Sequence, residues 1–388
     1  MEPVNVIGVG MTQFGVFEDS IVQLAQNAAL EALNDSSTIE SPIDYLIIGA
    51  QNPEEFTEQG HLSTLLADYI GVVPAAATRV ETGPSSGSSA FESAVALIGA
   101  GMADLVLVVG VEKMSQVPRS TASKILARML SYENEIQYGA TPTALAALIT
   151  RRYMHDFGLT RDELSLVPVK AHRNGAKNPL AHFQKEVSVE KVSNSPMIAD
   201  PLRLYDCCAT SDGAASVVVA SNKAVQDYGF SDSAIKVLGV GHGTDYLAVQ
   251  HRTSLTSMNA TRVAAKNAFR TAGIEPSDVD VCELHDAFSI LELLNMEDIG
   301  LVEKGQAIAA VKDGTTEVSG TIPVNPSGGL KARGHPTGAT GVAQIRDIVL
   351  QLRGKAPKGL QVVNPQIGLT HNIGGFGNNM VVTILSCI

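Results

Sequence analysis

The chain has 388 residues, 45% of them hydrophobic, which is enough for two or three domains around a large core. Its formal charge of -12 argues against nucleic acid or an anionic membrane as the default partner, so an anionic ligand would need a local basic pocket. The opening MEPVNVIGVG lacks a basic segment leading into an apolar core, and no apolar run approaches the roughly 20 residues that span a bilayer. The expected location is therefore cytoplasmic, with no nucleic-acid or membrane partner.

In chain order, Val4 to Val9, Tyr45 to Gly49, Asp104 to Val111, Ala215 to Ala220 and Ile235 to Val240 read as strands. Several are continuous apolar runs, as in a sheet covered on both faces. Between them, Ile21 to Leu33 carries apolar residues at helical spacing, and Ser86 to Ile98 does so after a Gly-Pro-Ser-Ser turn. The class is α/β with layered helices. From Met114 to Leu202 charge, His, Asn and Pro become more frequent and the apolar runs shorten, so this stretch reads as an insertion. It holds a helix around Ala144 to Phe157, then NPLAHF, which has few features of a buried strand. The four cysteines, Cys207, Cys208, Cys282 and Cys387, have no CxxC pairing and read as reduced and mostly buried; no metal site is expected.

Two segments repeat. ETGPSSGSSAFESAVALIGAG and KARGHPTGATGVAQIRDIVLQLRG align with Gly83 on Gly334, Gly87 on Gly338 and Pro84 on His335, each followed by an amphipathic helix and an apolar strand. A duplicated layer with a pseudo-twofold axis follows, and it brings two helix N-termini to one place, where their N–H groups favour developing negative charge.

IGVGMTQFG, GVEKMS at Gly110 to Ser115, PLRLYDCCATSDGAA at Pro201 to Ala215, HDAF at His285 to Phe288, NPSGGLKARGHPTGATG at Asn325 to Gly341 and HNIGGFG at His371 to Gly377 occur in that order. Together they make the chain resemble the thiolase superfamily, in particular its sterol-carrier-protein and archaeal acetyl-CoA acetyltransferase branches. The resemblance implies the thiolase fold: two similar halves, each with a five-stranded mixed sheet layered with helices (αβαβα), plus an inserted loop domain. The expected division is 1–115 with 205–250, then 116–204 as the insertion on the CoA side, then 251–388.

The resemblance also implies a chemistry that this chain alters. Thiolases attack an acyl-CoA with a cysteine where this sequence has Pro84, which has neither a nucleophile nor a backbone N–H for an oxyanion. The family's second cysteine falls at Ala287 or at Asn372, depending on the branch. Retained are His335, matching the base; His285, matching the residue that polarises the thioester carbonyl; and Gly374 and Gly375, whose backbone can approach a ligand. His371 is a weaker candidate. Cys207, Cys208 and Cys282 read as small core residues.

Gly83-Pro84-Ser85-Ser86-Gly87 also fits G-x-S-x-G, which makes Ser85 a candidate substitute nucleophile, although the preceding residues are too polar for a hydrolase elbow. Gly8-Val9-Gly10 is not a dinucleotide fingerprint, because the next glycine is misplaced. Three functions stay open: an enzyme acting on a 3-oxoacyl-CoA or similar thioester through His335 and His285 without a covalent cysteine step; a non-catalytic CoA-binding or scaffold subunit; and a Ser85 acyl-enzyme.

Coenzyme A or acyl-CoA is expected as substrate or ligand, with no permanently bound cofactor. Arg119, Lys124, Arg151 and Lys170 are candidates for its phosphates. By resemblance the protein partners are a second copy or a dimer of dimers, and a hydroxymethylglutaryl-CoA synthase with a small zinc-ribbon and OB-fold protein.

A free cysteine is partly ionised near neutral pH and a serine hydroxyl is not, so losing both thiols removes the covalent route. After incubation with acetyl-CoA, mass spectrometry of the whole protein and its peptides should find no acetyl group on any cysteine. A cysteine acetylated at a thiolase-like rate would overturn this reading.

Overall fold

In the computed structural model the described residues are 3–38, 41–230 and 234–387. Strands β1 (Val4–Met11), β2 (Tyr45–Gly49), β3 (Ala76–Val80) and β4 (Leu105–Glu112) come first, and a small separate hairpin, β5 (Met197–Ala199) and β6 (Leu202–Arg203), follows. Then come β7 (Gly213–Ser221), β8 (Ile235–Thr244), β9 (Val281–Leu284), β10 (Ile367–Gly374) and β11 (Asn379–Ser386). The five strands expected from apolar runs are all present, each within a few residues of its expected ends. NPLAHF forms no strand; its His182 and Phe183 N–H groups instead bond to the carbonyls of Arg333 and Ala332.

The first half is ordered β3-β2-β4-β7-β1: β2 runs parallel to β3 and β4, and the other contacts are antiparallel. In the second half β9 is parallel to β10, and β10, β11 and β8 follow antiparallel. This is the same plan with one difference. Where β3 would be, the second half has, among the described residues, only the parallel bridge Cys282–Val324, so its part of the sheet shows four strands and a bridge rather than five strands. The halves are also not separate sheets. Strands β1 and β8, which hold equivalent places, pair antiparallel at Asn5–Lys236 and Val6–Ile235, joining all nine strands.

Helices fill three layers. Ile21–Asp35 opens with a reciprocal Ser20/Gln23 capping box and packs its buried face on β1, β4 and β7. Asn259–Ala272 covers β8 and β11 on the other side, and can approach because Gly239, Gly241 and Gly243 face it: a Cβ on Gly239 would lie 2.5 Å from the Ala268 carbonyl. Between the two halves of the sheet lie Ser86–Gly99 and Thr337–Leu352, the latter in contact with strands of both halves.

These two inner helices cross at Gly87 and Gly338, the pair that the repeat aligns. A Cβ on Gly87 would lie 2.5 Å from the Gly338 carbonyl, and one on Gly338 would lie 2.6 Å from the Gly49 carbonyl. Equivalent residues that touch must lie on the pseudo-twofold axis. Because the obstruction is backbone, a neighbouring rotamer cannot relieve it. Gly338→Ala should therefore lower unfolding stability by about 3 kcal/mol, whereas Gly60→Ala, where only the tip of Glu54 is near, should stay within about 0.5 kcal/mol. Urea midpoints check this, and equal shifts would refute the tight crossing.

Candidate active site

Each inner helix begins after a turn whose glycine has a positive φ: Gly83 at 66° before Pro84, and Gly334 at 111° before His335. The crossing at Gly87 and Gly338 holds both turns beside one cleft of about 480 Å³, whose wall includes Pro84, His285, Ala287, His335 and Gly375. A wider groove of about 850 Å³ along helix Asn259–Ala272 contains none of the residues matched from sequence.

His285 follows β9 and meets His335 edge to face, with ring centroids 4.9 Å apart. Their hydrogen bonds assign opposite tautomers. His285 Nδ1 lies 3.3 Å from the Ile373 backbone N–H and 3.0 Å from the Asn372 side-chain amide, so it accepts and its proton sits on Nε2. The Thr340 hydroxyl donates to the Pro336 carbonyl at 3.0 Å and therefore accepts from His335 Nδ1 at 2.6 Å, which leaves His335 Nε2 with a free lone pair. One imidazole is poised as a donor and the other as a base.

Burial, with the Arg333 guanidinium nearby, pushes the His335 pKa down to about 3. Burial does the same to His285, helped by His335, His371 and Arg333, and carries it well below the usual imidazole range. Both rings are thus neutral at physiological pH.

Asn372 is buried behind His285 rather than lining the cleft; its carbonyl accepts from Ser88 at 3.0 Å, which orients its amide toward the ring. Gly375 reaches the cleft wall, and a Cβ on Gly83 would lie 2.7 Å from its N–H, so the two turns fit only as glycines. Gly374 packs against Ser85 and the Thr82 carbonyl.

Ser85 is not brought to the cleft. Fully buried, its Oγ lies 2.9 Å from both the carbonyl and the hydroxyl of Thr82, because Pro84 turns the chain so that the next side chain points inward. His371 sits on β10 and pairs with Thr261 at 3.0 Å, away from the cleft. Lys170, a candidate for CoA phosphates, is buried against Glu292 at 2.6 Å and is unavailable, and Arg151 is engaged by Asp200. Arg119 and Lys124 are exposed on helix Arg119–Ala127.

Cys207 and Cys208, read from sequence as core residues, line the cleft, yet burial raises their pKa values to about 11 and about 12, which keeps them as thiols. Cys282 is buried in the core and Cys387 is exposed. Among the described residues no cluster of three or more His, Cys, Asp or Glu could hold a metal ion, and no helix is long and apolar enough to cross a membrane.

Three residues of the site were not singled out from sequence. Thr340 fixes the His335 tautomer from five residues downstream in the same motif. Ser88 orients Asn372. Glu112, within GVEKMS, accepts from the Gln51, Asn52 and Gly338 N–H groups and the Thr337 hydroxyl, tying the start of the second inner helix to the first half. Burial outweighs these donors and pushes its carboxyl up to about 7.

Comparison with known proteins agrees with this fold. A family model for the thiolase N-terminal domain matches residues 4–223, and one described as thiolase C-terminal domain-like matches 241–387. Acetyl-CoA acetyltransferase of Methanothermobacter thermautotrophicus is 43% identical over 387 residues, covering 100% of both chains. Sterol carrier protein 2 of Bos taurus is 34% identical, covering 98% of this chain and 72% of its own. The solved structure of the Ltp2-ChsH2(DUF35) aldolase superposes with a TM-score of 0.84 at 25% identity, over 99% of this chain and 97% of that one.

A histidine held near pH 3 in the fold and near 6.5 when unfolded lets the unfolded chain bind the proton first, so its contribution is lost as pH falls below about 6.5. Removing that histidine removes the penalty. His335→Asn should therefore lose stability on acidification less steeply than wild type, by about 1.4 kcal/mol per pH unit between about pH 6 and pH 4. Parallel curves from denaturant melts would refute the buried neutral assignment.

Proposed function

We propose, since the chain belongs to the thiolase superfamily, that it binds an acyl-CoA thioester in this cleft and works on it without a covalent acyl-enzyme. The observation that carries the reading is the pair of opposite tautomers, 4.9 Å apart, in a cleft where proline stands at the nucleophile position. A pure scaffold has no physical need for a base and a donor converging on one cavity.

The two groups suffice for a reaction at the carbon next to the thioester. His335 Nε2 takes a proton from C2, and the C–H electron pair moves toward the thioester oxygen. His285 Nε2–H donates to that oxygen as it becomes an enolate, where a fixed donor is worth most. The enolate carbon then adds to an aldehyde or ketone, whose alkoxide takes the proton back from His335. Run in reverse, His335 removes the 3-hydroxyl proton, the C2–C3 bond breaks, the carbonyl compound leaves and C2 is protonated. No step needs a sulfur. A 3-oxoacyl-CoA would additionally need water as nucleophile, so the aldol-type step is the simpler use of this site, and the presence of an aldolase among the structural relatives supports it.

Segment 116–204 contributes Ser123 and Thr141 to Ala144 to the cleft wall, and we assign it the CoA side, with the exposed Arg119 and Lys124 of helix Arg119–Ala127 as candidate cations for the phosphates. The free edge of β3 offers unpaired backbone groups to a second copy. The aldolase relative is named together with a DUF35 protein, which supports a small protein partner here too.

The test is proton exchange. With acetyl-CoA in deuterated buffer, wild type should place deuterium at C2, followed by NMR and mass spectrometry, and His335→Asn and His285→Ala should each slow exchange by about 10²-fold or more. A wild-type protein that binds acetyl-CoA and leaves C2 protons untouched would return the chain to the role of a binding subunit.

A further inference from the structure

The cleft is walled without a formal charge. Among the described residues no Asp, Glu, Lys or Arg lines it; the inner wall is made by such residues as Met114, Met129, Phe288, Leu291 and Phe376, with the two histidines and two thiols as its titratable groups. His285 cannot take a second proton without turning an N–H toward the Ile373 N–H that now donates to it. Cations close in sequence to the wall are paired or lie outside it, Arg119 and Lys124 being exposed on helix Arg119–Ala127. Arg128 pairs with Glu55 and Lys113 with Asp212, both outside the wall. Lys331, buried behind Cys207 and Cys208, gives its ammonium to the Asp206 carbonyl at 2.7 Å.

A carboxylate drawn into such a space would lose its water and meet no cation, a cost that far exceeds what a few apolar contacts return. We infer that the charge-free wall selects uncharged acyl groups, so that the enzyme rejects carboxylate-bearing CoA thioesters and joins or releases a neutral, apolar aldehyde or ketone. This rests on the acyl-CoA reading above and narrows its substrate class. It also disfavours hydrolytic cleavage of a 3-oxoacyl chain, because that route forms a carboxylate inside the same wall.

The test compares CoA, butyryl-CoA and succinyl-CoA by calorimetry on the whole protein at neutral pH. Both acyl groups have four carbons and differ chiefly in the terminal carboxylate. Butyryl-CoA should bind at least as tightly as CoA, and succinyl-CoA at least about tenfold more weakly than butyryl-CoA. Succinyl-CoA binding as tightly as butyryl-CoA, or tighter, would overturn the inference and point to Lys331 as the group that reaches the carboxylate. If CoA and butyryl-CoA both fail to bind, the acyl-CoA reading itself is overturned, and the inference with it.

Discussion

The site depends on two helices crossing with no side chain between them. At Gly87 and Gly338 backbone meets backbone, and the inner helices approach more closely than any larger residue permits. That contact sets the distance between the two helix starts, and through it the distance between the proline turn and the histidine turn. The surrounding sheets then have only to hold the crossing in place. They do so with long, fully buried strands such as β4 and β7, and Glu112 ties the start of the second helix to the first half.

Around that frame the electrostatics are arranged for neutrality. Burial keeps His285 and His335 uncharged, and it keeps Cys207 and Cys208 protonated, so the cleft holds four titratable groups and none carries charge near neutral pH. In such surroundings a fixed N–H aimed at an oxygen that gains charge is stronger than the same group in water. The loss of the cysteine therefore does not empty the site of chemistry. On the proposed reading it removes the covalent step and leaves the proton-handling pair.

Much of this was legible in the sequence, because duplication leaves a pattern that survives divergence. The alignment of Gly83 with Gly334 and Gly87 with Gly338 located the turns and the convergence of the two helix starts, and motif order placed His285 and His335 at one site, while the backbone contact at the crossing came only with the structure. Other features were not legible. Side-chain direction after Pro84 depends on how the turn is wound, so Ser85 could be seen at the right position but not facing away from the cleft. Lys170 looked like a phosphate ligand because sequence shows its charge and hides its burial against Glu292. Cys207 and Cys208 stand in an apolar context, and an apolar cleft wall has the same composition as a core. The fifth strand of the second half shrinks to a bridge at Val324, which no hydrophobic pattern distinguishes from a short strand.

The pairing of β1 with β8 has a wider consequence. Strands in equivalent places meet antiparallel, and equivalent glycines touch, which is how an isologous dimer joins its subunits. The chain has the geometry of two identical partners fused end to end. In an unfused dimer one codon change alters both copies of a turn, so proline in one turn and histidine in its twin cannot coexist across the axis. Fusion lifts that restriction. One turn could become proline while its twin kept histidine, and the asymmetry of the present site is open only to a protein whose two partners are encoded separately.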